Sequence, residues 1–224
     1  MASDSPSVSR AAVVPGLTPE TFAFYRGLLA DPTKAYWTAH RGQYEQHVRA
    51  PLQHLLETLA ADVGGEPVVF RPYRDVRFSA DTSPYKTAQG AFLAVAPGVG
   101  YYAEVSADGL SLGGGFHPQD RAQTRRFRSA VDDQAAGPEL ARIVRTLRRK
   151  GFQIGGRQVA TRPRGVPADH PRLDLIRREY VTVARGLPPE PLAAAPLRRV
   201  TADAWAEVRP LVEWLLRHAR PEPA

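Results

Sequence analysis

The residues with the greatest chemical capacity lie in one short stretch, Arg71 to Lys86, which reads RPYRDVRFSADTSPYK. An extended chain sends alternate side chains to opposite faces. If residues 70–78 are extended, Arg71, Tyr73, Asp75, Arg77 and Ser79 share one face, and Phe70, Pro72, Arg74, Val76 and Phe78 share the other. The first row is wholly polar. Ser79, Asp81, Thr82 and Ser83 prolong it into a hydroxyl-rich loop that Tyr85 and Lys86 close. Guanidinium forks pair bidentately with carboxylate or phosphate, and a lysine adds a point charge. The pattern therefore suits binding of a small anionic ligand, with Arg74, Arg77, Ser79, Tyr85 and Lys86 as contacts. If chemistry follows, it is hydrolysis or transfer at that anion. Asp75 or Asp81 is then the candidate base, Ser79 a further candidate, and Arg77 and Lys86 stabilise developing charge. The competing reading is an exposed face laced with weak Arg–Asp pairs.

Two other segments are candidates to roof such a site. Gly113-Gly114-Gly115 precedes Phe116-His117 and permits close backbone approach, or simply a tight bend. The loop holding Arg162, Arg164, Asp169 and His170 stands ahead of an expected helix, either as anion donor or as local cap. His117, Arg164 and His170 thus complete the expected ligand-binding set. His40, His47 and His54 recur every seventh residue, too widely for a helical zinc pair, so no metal is expected. The triple glycine lacks the Lys-Ser/Thr of a phosphate-binding loop, Ser79 lacks a nucleophile elbow, and no cofactor is expected. An alternative function is a non-sequence-specific nucleic-acid or protein-binding module. It would use the arginines of helices within residues 121–150, among them Arg125, Arg128, Arg142 and Arg145.

The elements that must position these residues follow from period and punctuation. Thr18-Pro19-Glu20 starts a helix carrying Phe22, Tyr25 and Leu28. A second helix carries Trp37, His40, Tyr44 and Val48 on a stripe, and Pro51 should kink or restart it before Leu52, Leu55 and Leu59. Strands are predicted within 68–78, at 90–96, 101–105 and 110–116, with Asp108-Gly109 as a hairpin turn. Helices are predicted at 119–135, 138–150 and 172–185, with a short strand pair at 152–160 and a last helix capped by Thr201. The fold class is α+β: an antiparallel sheet in the middle of the chain packed by N- and C-terminal helices. One domain is expected over residues 17–220, behind a disordered leader at 1–16.

Composition narrows the setting. The 224 residues include no cysteine, which excludes disulfides, thiol catalysis and cysteine metal sites and fits a reducing, cytoplasmic compartment. No segment reads as a secretory signal or a membrane span, so no membrane partner is expected. The net charge of +7 could attract nucleic acid. Lysine occurs only at Lys34, Lys86 and Lys150, however, so the arginine excess has the look of codon bias. The oligomeric state has no sequence signature.

The block RDVRFSADTSPYKT, residues 74–87, resembles the domain-of-unknown-function family 2461 of bacterial and fungal conserved hypothetical proteins. YWTAHRGQYE at 36–45, the Tyr101-Tyr102 pair, the triple glycine, and RPRG with DHP at 163–171 fit the same family. The resemblance spans Phe22 to Leu216. It implies one mixed α/β domain and brings no activity with it. Two cationic positions of the family pattern are absent: Ala80 and Thr82 flank Asp81, and Ala160-Thr161 stands where a Lys-Arg pair is usual.

Overall fold

A computed structural model describes residues 16–74, 83–192 and 196–220. Its centre is a six-stranded antiparallel sheet in the order β1-β2-β3-β4-β6-β5, so the expected α+β class holds. The strands are β1 (Glu66–Val69), β2 (Ala88–Ala96), β3 (Val99–Ser106), β4 (Gly109–Phe116), β5 (Gln153–Gly155) and β6 (Thr182–Leu187). The helices are α1 (Pro19–Ala30), α2 (Lys34–Tyr44), α3 (Ala50–Val63), α4 (Arg121–Asp132), α5 (Ala136–Arg149), α6 (Leu173–Ile176), α7 (Pro189–Leu192) and α8 (Leu197–His218). Among the described residues no helix is long and apolar enough to cross a membrane.

The pleat explains the sheet's two faces. Leu93, Tyr101 and Gly114 stand in register, as do Ala91, Ala103 and Leu112, and all are buried. Helices α1, α3 and α8 lie against these strands. On the other face Phe92, Tyr102, Glu104 and Ser111 are only half-buried.

Helical backbone runs from Lys34 to Val63, with a π-helical turn at Glu45–Arg49 that joins α2 to α3. Pro51 falls in the first turn of α3, just past the π turn, so α-helical geometry restarts there as expected. Proline lacks the N–H that would reach the carbonyl four residues back. That carbonyl, on His47, accepts instead from the buried Thr21 hydroxyl of α1 at 2.7 Å. Ala50 N–H closes the π turn on Glu45 O.

The β3–β4 hairpin forms as predicted, with Ala107-Asp108 as its two-residue loop and Gly109 already in β4, at φ +122°. The β2–β3 connection is shorter than expected. Only Pro97-Gly98 intervene, with Gly98 at φ +74°.

Two predicted helix features are corrected. Residues 172–185 form a single helical turn and then β6, because Val181 and Val183 alternate inward and β4 needs a partner for its Leu110–Gly115 edge. Thr201 does not cap the last helix. It lies one turn inside α8, fully buried, with its hydroxyl donating to Leu197 O at 2.9 Å.

Candidate functional site

The polar segment leaves the sheet by a specific device. The β1–β2 ladder ends at Val69 opposite Ala91, and Phe70 N–H donates to Gly90 O at 3.1 Å. Buried Gln89 then fills the irregularity. Its Nε2 donates to Phe70 O at 2.7 Å and Gly90 O at 2.8 Å, and its Oε1 accepts from the Tyr44 hydroxyl at 2.7 Å. Beyond it the two chain segments pair again as a narrow ribbon. Tyr73 bridges Tyr85, Arg74 N–H donates to Pro84 O at 2.9 Å, and Lys86 N–H donates to Pro72 O at 2.8 Å.

The ribbon rests on aromatic rings. Tyr85 is buried and stacks on Trp37 of α2, with centroids 4.3 Å apart and planes 7° apart. Trp37 in turn meets Tyr44 at 4.8 Å. Tyr73 covers this pair from outside, 5.6 Å from Tyr85 and 6.1 Å from Trp37, and is 49% exposed. Burial raises the pKa of Tyr85 and of Tyr44, so both hydroxyls stay protonated and can donate. Lys86 lies half-buried with its Nζ 6.0 Å from the centre of the Phe70 ring. Neither Lys86 nor the exposed Arg71 has a carboxylate partner among the described residues.

The structure therefore brings Arg74, Tyr85 and Lys86 into one ribbon. Asp75, Arg77, Ser79 and Asp81 lie outside the described residues. The expected roof does not assemble over Lys86. Ala88, beside Lys86, pairs with Ser106, whereas Ala96 and Val99 sit at Phe116. His117 is thus at the far end of the sheet from Lys86, roughly 26 Å along β2 at ~3.3 Å per residue. There its N–H donates to Gly98 O at 2.8 Å and its ring meets Tyr180 at 4.6 Å. The three glycines serve packing. A Cβ on Gly114 would stand 2.8 Å from Gly100 O and 3.0 Å from the Val208 side chain of α8.

His170 and its loop close the end of α4. Nδ1 accepts from Arg172 N–H at 3.1 Å, which leaves the ring proton on Nε2, 3.0 Å from Asp132 Oδ1. The buried Arg172 guanidinium donates to Val131 O at 2.7 Å and Asp132 O at 2.9 Å, satisfying carbonyls that the helix leaves open. Arg164 is exposed in the same loop. His40 and His47 are held locally, His40 by Tyr36 O at 2.9 Å and His47 by the Thr18 hydroxyl at 3.2 Å.

A family model described as "Conserved hypothetical protein (DUF2461)" matches residues 20–214. The chain belongs to this family. No curated protein matches it. The DUF2461 description carries no activity, so function has to be read from geometry. Sequence reasoning about this DUF2461 chain missed Gln89 as the positioning residue and treated Trp37 and Tyr44 as core alone. The available signal was a lone amide in the apolar run AQGAFLAVA.

Proposed function

We propose that this DUF2461 protein binds a small phosphate- or carboxylate-bearing ligand at the 71–74/84–86 ribbon. The observation that carries the reading is the pairing of Pro72 and Arg74 with Lys86 and Pro84 above the Trp37–Tyr85 stack. It holds Arg74 and the Lys86 ammonium on a two-stranded support with a buried base. Lys86 has no competing carboxylate among the described residues. An ammonium with no partner carboxylate keeps its full charge for an incoming anion. Tyr73 offers an exposed aromatic edge beside it. Binding needs these groups alone; hydrolysis or transfer would enlist Asp75 or Asp81 as base. The reducing, cytoplasmic setting belongs to the same proposal and rests on the absence of cysteine.

The nucleic-acid reading has less support. Arg128 Nε donates to Arg178 O, Arg126 Nε to Arg220 O, and Arg148 pairs with Asp174, so these guanidinium groups already have partners within the chain. Calorimetric titration with inorganic phosphate and with acetate tests the main proposal. Lys86→Ala and Arg74→Ala should each weaken phosphate binding by roughly tenfold or more, the loss of a charge-assisted contact, and Lys86→Ala should leave the melting temperature nearly unchanged. Unaltered phosphate affinity in both variants would overturn it. Loss of duplex DNA binding in Arg142→Ala/Arg145→Ala, with no phosphate effect at Lys86, would favour the alternative.

A further inference from the structure

A second, separate cavity lies between α3 and α8. Its volume is about 130 Å³, and Leu59, Val63, Ala202 and Ala206 form apolar walls. The floor is Tyr101 of β3 and Trp205, stacked 5.0 Å apart at 22°. Asp62 and Arg209 stand at its rim. Residues 202, 205, 206 and 209 fall on one helical stripe, as do 59, 62 and 63, so the cavity is the gap between two ridges.

Tyr101 is the unusual member. It is only 4% exposed, yet among the described residues no hydrogen-bond partner meets its hydroxyl. A hydroxyl with no protein partner at the floor of a pocket is left to whatever enters the pocket, water or ligand. The neighbouring Trp205 indole is satisfied, donating to Tyr102 O at 3.3 Å. Among the described residues the buried side-chain atoms without a partner are Arg128 Nη2 and Arg178 Nε, so the Tyr101 hydroxyl keeps contact with solvent. It faces the cavity.

The rim adds charge. Asp62 is taken up by Arg198. Among the described residues Arg209 has an exposed one-turn contact to Glu213 at 3.8 Å, a geometry that contributes little. Burial raises the Tyr101 pKa, the Arg209 charge lowers it and the Glu213 carboxylate raises it, so the hydroxyl lies within electrostatic reach of the Arg209–Glu213 pair.

We propose that this cavity binds a small aromatic carboxylate of benzoate size, its ring between the Leu59/Val63 and Ala202/Ala206 walls and its carboxylate shared by the Tyr101 hydroxyl and Arg209. A dry cavity of about 150 Å³ accommodates a benzene ring, which sets the size class. Val63 and Ala206 are exposed, so the pocket opens to solvent and a ligand can enter. The acid supplies the acceptor that Tyr101 lacks and a better-placed anion for Arg209 than its one-turn contact.

Benzoate titrated into the full-length protein, followed by the Trp205 indole NMR signal, tests this. The signal should shift saturably. Tyr101→Phe and Arg209→Gln should each weaken benzoate binding roughly tenfold, since each removes a charge-assisted hydrogen bond. The denaturation midpoint of the Tyr101→Phe protein should equal or exceed that of the parent, which keeps a folding defect distinct from a binding loss. Toluene, equal in ring size and without the acid, should bind more weakly than benzoate. Absence of a saturable shift at millimolar benzoate overturns the proposal. So does parental affinity in both variants, or toluene binding as tightly as benzoate. Phosphate binding at Lys86 should be unaffected by either substitution.

Discussion

At the scale of single residues, Gln89 is the most informative position. It is a buried amide in an otherwise apolar strand, and all of its described hydrogen bonds serve one purpose. They let the chain leave the β1–β2 ladder at Phe70 without orphaning a carbonyl, and they tie that exit to Tyr44 on α2. Gln89→Leu would leave the buried Tyr44 hydroxyl without its acceptor and the part-buried Phe70 carbonyl without its donor. Each such group costs about 1–3 kcal/mol, so chemical denaturation should show a loss of about 3 kcal/mol. Tyr44→Phe removes only one donor and should cost about 1 kcal/mol. Because the ribbon is positioned by this amide, Gln89→Leu should also weaken phosphate binding at Lys86, which Tyr44→Phe should largely preserve.

At the scale of elements, the long N-terminal helix shows how a proline is tolerated in mid-helix. Pro51 supplies no donor to His47 O, and Thr21 from the neighbouring helix supplies one. The substitution Thr21→Val, similar in volume, should cost about 1–2 kcal/mol, from the unsatisfied His47 carbonyl and from the Thr18 N–H that loses its acceptor at the start of α1. The same change in a Pro51→Ala background should cost markedly less, because alanine at that position brings its own N–H to the carbonyl. A double-mutant cycle by urea denaturation measures the difference. No coupling between the two sites would show that the carbonyl is satisfied in another way. The helix-versus-strand switch at 172–187 belongs to this scale too. Local propensity allows either state there, and the open edge of β4 selects the strand.

At the scale of the whole molecule, charge links distant elements and sets the acid response. Asp133 is held below the ordinary carboxylate range by hydrogen bonds from the Ala136 and Ala135 N–H groups at the start of α5, which outweigh burial, with the His218 and Arg172 charges adding. Burial pushes Glu207 of α8 upward, but hydrogen bonds from Arg185 and Lys150 prevail and hold it low. A depressed folded-state pKa gives stability that is complete above the unfolded-state value and is lost as pH falls through the folded one. The melting temperature should therefore fall progressively once the pH drops below the ordinary carboxylate range. Asp133→Asn and Glu207→Gln together should flatten that decline by a few degrees at most, since both groups are near solvent and screened. A pH dependence identical to the parent's would show that other carboxylates govern acid unfolding.

Local rules were enough for much of this chain. Periodicity and punctuation placed α1, the Trp37–Tyr44 stripe, the β3–β4 hairpin and the amphipathic α4 and α5, and the 74–87 block placed the chain in its family. They also singled out Arg74, Tyr85 and Lys86, which the ribbon does bring together. What depends on distant partners became visible only in three dimensions. The strand identity of 182–187 needed β4, and the carbonyl left open ahead of Pro51 needed Thr21. The separation of His117 from Lys86 followed from the antiparallel register, which sends successive strand ends to opposite edges of the sheet. The Tyr101 cavity is a gap between two helix ridges, and no linear pattern encodes where ridges fail to meet.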